Sequence, residues 1–452
     1  MKFLIILGSI SLLYGILSRK IPEITSFLLK IGLIIAILTC LCGFFIDYKN
    51  TLIYGGVDLR SRITGARLLL KGICPYTYKW DPRDSDLLLD PVDSPDLILN
   101  RTAVSPSYLA LFSPFSGLPY SIQRIAWLLI QWILLILSIA LFAHTCPSKR
   151  KAMLVWIGGL FFISCGYFWR LHVERGQCYI LYVFLLSASY WFIMKVSRCG
   201  SLVSGFLIGI TTTLMPPMIF MNIPILVYKK WKLFLGNIIG MICGIIPSCY
   251  LWGIGNWNSF LIRSTLNHRD TINEFPLSNI VCPLRIEGMN NLTRFYPFPF
   301  SDASLWHIAS KYLKLTLPIG VFFGLLILAL ATSYFFLCRY RLKNIEPSLL
   351  FLIGTSLIYI STFFIFSPRY SYTNTLWLLP LCLIIINPDS FILFSKPLII
   401  PVITGLFFSV SLIPRSNLML LALDYLTLFC SVFASIYFLC LAWHRQQATE
   451  RL

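Results

Sequence analysis

Residues 121–144 read SIQRIAWLLIQWILLILSIALFAH, with Arg124 the one formally charged side chain. A helix rises about 1.5 Å per residue, so such a run covers about 36 Å. That exceeds the roughly 30 Å of hydrocarbon in a bilayer, which about 20 apolar residues span. The same reading applies at 2–18, 27–46, 152–168, 178–194, 233–253, 315–337, 348–367, 374–387, 398–413 and 418–443. The stretch 201–228 is split by Pro216-Pro217 and reads as a helical hairpin or re-entrant pair. Across the 452 residues, 57% are hydrophobic and 12% are charged, about half the charge of soluble domains. The expectation is a single all-α polytopic bundle over 1–452, with about 11–13 transmembrane helices and no soluble module. Most of the 14 cysteines lie inside apolar runs and behave there as small hydrophobes. Cys74 and Cys282 fall in polar loops and form a candidate bridge on an oxidising side.

Orientation follows from Lys and Arg in short loops. Arg19, Lys20, Lys30, Lys149, Arg150, Lys151, Lys195, Arg198, Lys229, Lys230, Lys232, Arg339, Arg341 and Lys343 thread to one face. The C-terminal HRQQATERL joins them, which makes that face cytoplasmic. Two long polar segments, 47–120 and 254–314, then lie outside, with short links near 169–177, 367–373 and 414–417. Loops held on a helical scaffold are where function concentrates. Ile63–Leu70 and Leu305–Leu315 are amphipathic and read as pieces lying along the membrane surface.

The outer face also carries many arginines, among them Arg60, Arg62, Arg101, Arg124, Arg170, Arg175, Arg263 and Arg369. Two readings stand: a solvated surface meeting anionic headgroups, or convergence on a phosphate-bearing lipid, which arginine forks suit. The first loop opens YGGVDLRSRITGARLLLKGICPYTYKW (54–80). Asp58, just beyond a helix end and beside Arg60 and Arg62, has the makings of a general base. An N-cap or a local ion pair is the plainer alternative. The acidic WDPRDSDLLLDPVDSPD (80–96) lacks the Gly and Glu of a calcium loop and reads as a solvated loop. WRLHVERGQCYILY (169–182) packs His172, Glu174, Arg175 and Gln177 between apolar runs, and FSPRYSYTNTLWLLP (366–380) supplies Arg369, Tyr370, Tyr372 and Asn374. No Walker loop, dinucleotide fingerprint, HExxH or zinc spacing is present, so no metal site is expected. Ionisable residues within the spans are few, Asp424 being the clearest, which argues against an ion-coupled transporter.

These segments, from about residue 50 to 390, resemble glycosyltransferase family 87, membrane enzymes of the GT-C class. The resemblance rests on Asp58, Gly65, Gly72, Pro75 and Tyr76 in the first loop and on SPSYLALFSPFSGLP (105–119). It extends to Arg175-Gly176-Gln177, to the hairpin GFLIGITTTLMPPMIF (205–220) and to SPRYSYTNTLWLLP (367–380). It implies a bacterial plasma-membrane hexosyltransferase, mannosyltransferase-like, that takes a hexose or pentose from a polyprenyl-phosphate carrier. The sugar would pass, with inversion, to a hydroxyl on a lipid or glycan acceptor at the extracytoplasmic face, as in glycolipid or cell-envelope synthesis. It implies Asp58 as catalytic base and Arg or similar donors at the leaving phosphate. Arg60, Arg175 and Arg369, at outer helix ends, are expected there, with Arg62, Tyr76, Gln177, Tyr370 and Asn374 as further donor-phosphate or substrate contacts. The partners implied are the bilayer, the polyprenyl-phosphate-linked sugar and the acceptor, with no cofactor and no nucleic acid. Two positions depart from the family pattern: Met215 where many relatives carry Lys, and Thr373-Asn374 where relatives often carry His. Competing readings are an O-antigen-type polymerase or ligase, a lipid-linked sugar flippase, and a non-catalytic scaffold.

Overall fold

The computed structural model describes residues 22–53, 56–81, 83–88, 102, 104–164, 166–196, 198–270, 302–315, 317–364, 369–389 and 417–451. The expected runs at 2–18 and 398–413, most of the second long loop, Cys282, Asp90, Asp93 and Asp96 fall outside these residues. Among the described residues the protein is all-α and polytopic, with one isolated bridge, Asp302 to Tyr370, in place of any sheet. Six helices are long and apolar enough to cross a membrane: α1 (Pro22–Ile53), α4 (Tyr120–Thr145), α10 (Trp231–Trp252), α12 (Ile319–Arg339), α13 (Pro347–Phe364) and α15 (Asn417–Arg451). Shorter ones fill the bundle: α2 (Val57–Leu70), α3 (Pro106–Phe112), α5 (Lys149–Ser164), α6 (Tyr167–Arg175), α7 (Tyr179–Lys195), α8 (Gly200–Leu214), α9 (Asn222–Val227), α11 (Gly255–Asp270) and α14 (Leu378–Ile386). Side chains such as Phe323, Ile327, Leu328 and Phe335 of α12 are exposed on its flank. Such a surface needs lipid as its solvent.

The hairpin forms as expected. Pro216 has no amide hydrogen and drives the preceding residue out of the helical region. Met215 accordingly sits at φ −136° and ψ 93°, and the chain restarts as a 3₁₀ turn over Pro216–Met221. Helix α8 packs on α10 at backbone distance, because glycines face each other. A Cβ on Gly209 would meet the Asn237 carbonyl oxygen at 2.1 Å, and one on Gly240 the Phe206 carbonyl oxygen at 2.1 Å. Small residues four apart are the usual means of close helix approach in lipid. Hydroxyls add polar ties: Ser356 Oγ lies 2.5 Å from Ser431 Oγ and 2.9 Å from Ser435 Oγ, joining α13 to α15.

Three features differ from the sequence reading, each for a local reason. Helix α1 continues past the end of its apolar run to Ile53, since Asp47 is buried in an ion pair with Arg170 and accepts from Trp169 Nε1 at 3.0 Å. The link expected at 169–177 is instead the buried helix α6, bent 109° from α7. Its polar residues come indoors because distant groups satisfy them; Arg170, for example, also donates to the Gly43 carbonyl at 2.8 Å. And Ile63–Leu70 belongs to α2, whose Leu59, Ile63, Ala66, Leu68 and Leu69 are all buried among other helices.

The bundle has two distinct ends. At one, Lys151 Nζ donates to the Ile386 carbonyl at 3.1 Å, Arg445 pairs with Asp389 at 2.7 Å, and Lys343 pairs with Glu450 at 2.9 Å. At the other, Tyr120 at the head of α4 donates to the Gly56 carbonyl at 2.8 Å, just before α2. Helix α4 separates the ends by roughly 39 Å at about 1.5 Å per residue. Lys151, Lys343 and Arg445 thus lie at the first end, and Asp58, two residues past Gly56, at the second.

Candidate active site

Asp58 occupies the first turn of α2, where the helix dipole favours a carboxylate. It does not cap that helix: the N-cap is Gly56, in the left-handed region at φ 60°, with no side-chain cap bond. Among the described residues its hydrogen bonds do not come from the neighbouring arginines, although Arg62 lies within electrostatic range of it. Its partners come from 117 and 119 residues away, where Arg175 Nε donates to Oδ2 at 2.7 Å and Gln177 Nε2 to the same oxygen at 2.6 Å. Among the described residues no hydrogen bond falls on Oδ1. The Asp58 and Arg175 side chains are 23% and 14% exposed. The carboxylate is therefore anchored by one oxygen and reachable from outside by the rest.

The anchor is built by the end of α6. Gly176 stands at φ 68°, the Gln177 amide donates to the His172 carbonyl at 2.9 Å, and the Gly176 amide donates to the Val173 carbonyl at 3.0 Å. This is a Schellman ending, and it asks for glycine at the left-handed position. Glycine is needed here for room as well, since a Cβ would lie 2.5 Å from the Leu59 Cβ. That close approach lays the Arg175–Gln177 turn directly on α2.

Helix ends leave carbonyls without partners, and buried ones must be satisfied. One face of α4 does this. Arg124 donates to the Val173 carbonyl at 3.1 Å and the Glu174 carbonyl at 2.5 Å; Trp127 Nε1 donates to the Gly176 carbonyl at 3.1 Å; Gln131 donates to the Gln177 carbonyl at 2.7 Å. Positions 124, 127 and 131 recur with helical spacing, so they share a face. From α2, Arg62 donates to the Gly176 carbonyl at 3.1 Å and to Gln177 Oε1 at 2.5 Å, with its guanidinium 5.6 Å from the Tyr108 ring centre.

Tyrosines edge this site. The rings of Tyr370 and Tyr372 are 5.6 Å apart, those of Tyr372 and Tyr179 5.7 Å apart, and Tyr372 lies within electrostatic range of Asp58 and Arg175. The structure thus unites Asp58, Arg62, Arg175 and Gln177, with Tyr370 alongside through Tyr372. It does not bring in the rest. Arg60 is buried with its guanidinium 5.2 Å from the Tyr120 ring centre. Tyr76 donates to the Val104 carbonyl at 2.7 Å and packs against Phe260, tying the first loop to α11. Arg369 and Asn374 belong to a separate buried network with Asp424, in which Arg369 lies 3.5 Å from Asp424 and donates to Asn374 Oδ1 at 2.8 Å. Tyr359 donates to that same amide oxygen at 2.6 Å, and the Asn374 amide donates to Asp424. In the acidic loop, Asp81 is an exposed partner of Arg83 at 2.9 Å, and that guanidinium holds its carboxyl below the usual range.

No curated protein and no solved structure matches the chain. The profile of glycosyltransferase family 87 matches residues 105–368, more than half of the chain. That segment holds Arg175-Gly176-Gln177, the α8 hairpin and the α4 face that cradles the turn. It stops short of Asp58 on one side and of Arg369 on the other, a narrower extent than the motifs led us to expect. An all-α membrane bundle with this match is a membrane glycosyltransferase, and the chain belongs to glycosyltransferase family 87.

Proposed function

We propose that the protein transfers a hexose, mannose among the candidates, or a pentose from a polyprenyl-phosphate carrier to a hydroxyl of a lipid- or glycan-linked acceptor. The reaction takes place at the extracytoplasmic face of a bacterial plasma membrane, with the Lys/Arg-rich loops and the C-terminus in the cytoplasm. The observation that carries this reading is Asp58, anchored through Oδ2 by Arg175 and Gln177 and partly open to solvent. In the proposed step the acceptor oxygen forms a bond to the anomeric carbon while its proton passes to Asp58 Oδ1. The bond from that carbon to the phosphate oxygen breaks, and its electron pair leaves with the polyprenyl phosphate. Arg175, partly exposed, carries nitrogens besides the Nε that holds Asp58, and in this reading they meet the departing phosphate across the sugar. Arg369 is left out of this role, since Asp424 and Asn374 already engage it.

The test uses purified protein with polyprenyl-phosphate mannose, glucose and arabinose, followed by NMR of the product's anomeric centre. The expected product has the configuration opposite to the donor; retention would contradict a single displacement with Asp58 as base. In the same assay Arg175→Ala should lower kcat/KM for the donor by roughly tenfold or more, the scale of one lost charge-assisted contact. An unchanged kcat/KM would remove Arg175 from the leaving-group site.

A further inference from the structure

Gln177 carries one amide, and its two ends face different partners. Its oxygen accepts from Arg62 at 2.5 Å, and its nitrogen donates to Asp58 Oδ2 at 2.6 Å. An amide placed in the opposite sense would set its NH₂ against a guanidinium, which has donors only, and its oxygen against a carboxylate. Arg62 and the Asp58 carboxylate therefore fix between them which way the amide points. Arg62 is itself fixed by its bond to the Gly176 carbonyl at 3.1 Å and by burial. With Arg175 Nε also on Oδ2, two donors occupy a single carboxylate oxygen. A proton arriving at that oxygen would meet two N–H groups, whereas Oδ1 has room for it.

We propose that Arg62 and Gln177 are positioning residues for the base. Arg62 orients the Gln177 amide, the amide and Arg175 hold Oδ2 as an acceptor, and the proton of the incoming hydroxyl is thereby directed to Oδ1. The inference rests on the proposed role of Asp58. It moves Arg62 and Gln177 from contact with the donor, the role expected of them from the sequence, to support of the carboxylate. The Arg175–Gly176–Gln177 sequence gains a physical reason: the left-handed glycine is what lets side chains on both sides of it reach one oxygen.

The experiment measures kcat and donor KM for the full-length protein, using whichever of polyprenyl-phosphate mannose, glucose or arabinose the wild type turns over. A lost positioning contact acts on the chemical step, so kcat carries the effect. Gln177→Ala and Arg62→Met should each lower kcat by roughly 10- to 100-fold, the scale of a hydrogen bond to a charged group. Donor KM should stay within about twofold, since uniform binding is untouched. Acting through one chain of contacts, the double variant should be no slower than Gln177→Ala by more than about twofold. Arg62→Lys, which can still donate to the amide oxygen, should recover part of the Arg62→Met loss. If Arg62→Met does not fold, Arg62→Lys and Gln177→Ala supply the same cycle.

A rise in donor KM at unchanged kcat would overturn the proposal and return both residues to the donor. Multiplying effects in the double variant would overturn it too. Failure here is separable from failure of the base. An inactive Asp58→Asn protein with full kcat in Gln177→Ala removes the relay alone, and an active Asp58→Asn protein removes the base beneath it.

Discussion

Asp58→Asn is expected to lower sugar transfer by at least about 100-fold while the protein purifies and unfolds like the wild type. Asn keeps the shape of the side chain and can still accept from Arg175 and Gln177 through its oxygen. It cannot take a proton from a hydroxyl, so the loss isolates the chemistry. Positioned proton transfer contributes roughly 10²–10⁴-fold. Its 23% exposure and its two donors on one oxygen place it as a working group more than as a structural tie. Asp81→Asn is the control within the same loop, since Asp81 is exposed and paired only with its neighbourhood. Its rate should stay near that of the wild type. A normal rate in Asp58→Asn would end its assignment as base and advance the polymerase or scaffold readings.

Arg369→Ala should show the opposite pattern, a large loss of stability. Arg369 and Asp424 are 1% and 0% exposed, and the guanidinium also donates to Thr362 at 3.1 Å and sits 3.9 Å from the Phe363 ring centre. Removing one member of a buried pair leaves the other charge without compensation, at about 3–5 kcal/mol. The network joins the turn after α13 to α15, so unfolding in detergent should shift well below the wild-type temperature. Replacing both charges by apolar residues, Arg369→Met with Asp424→Leu, should restore much of the loss, because no lone charge is left buried. Wild-type thermal stability in Arg369→Ala together with a raised donor KM would make Arg369 a phosphate ligand after all.

The contrast between these two arginine sites shows where sequence reading reaches. Apolar runs located the helices because 20 or so apolar residues have few other uses, and Pro216-Pro217 marked the break in the hairpin. Asp58, Arg175 and Gln177 each stood out as polar residues at helix ends. What joins them is a contact across 117 residues, and no local pattern encodes it. In the sequence, 169–177 is a short polar link between two apolar runs, and nothing local shows what Arg170, His172 and Glu174 bind. Their partners, such as Asp47, lie elsewhere in the chain. Arg369 was expected at the phosphate for the same reason: an arginine at a span's end looks available until Asp424, 55 positions later, is seen beside it. Gln131, alone in the middle of an apolar run, was the available clue to the cradle under the turn. A buried amide must find partners, and here it holds the carbonyl of Gln177.

The most direct measurement of the central claim follows a radiolabelled sugar in a single turnover. Purified wild-type protein in lipid nanodiscs is supplied with polyprenyl-phosphate mannose, glucose or arabinose and with glycolipid from a bacterial envelope as acceptor. For one of these donors the label should leave the polyprenyl carrier and appear on the acceptor, with one polyprenyl phosphate released per sugar moved. In Asp58→Asn protein it should stay on the carrier. Label that remains on the polyprenyl carrier for every donor, while the same protein in sealed vesicles moves the intact lipid between leaflets, would contradict the account.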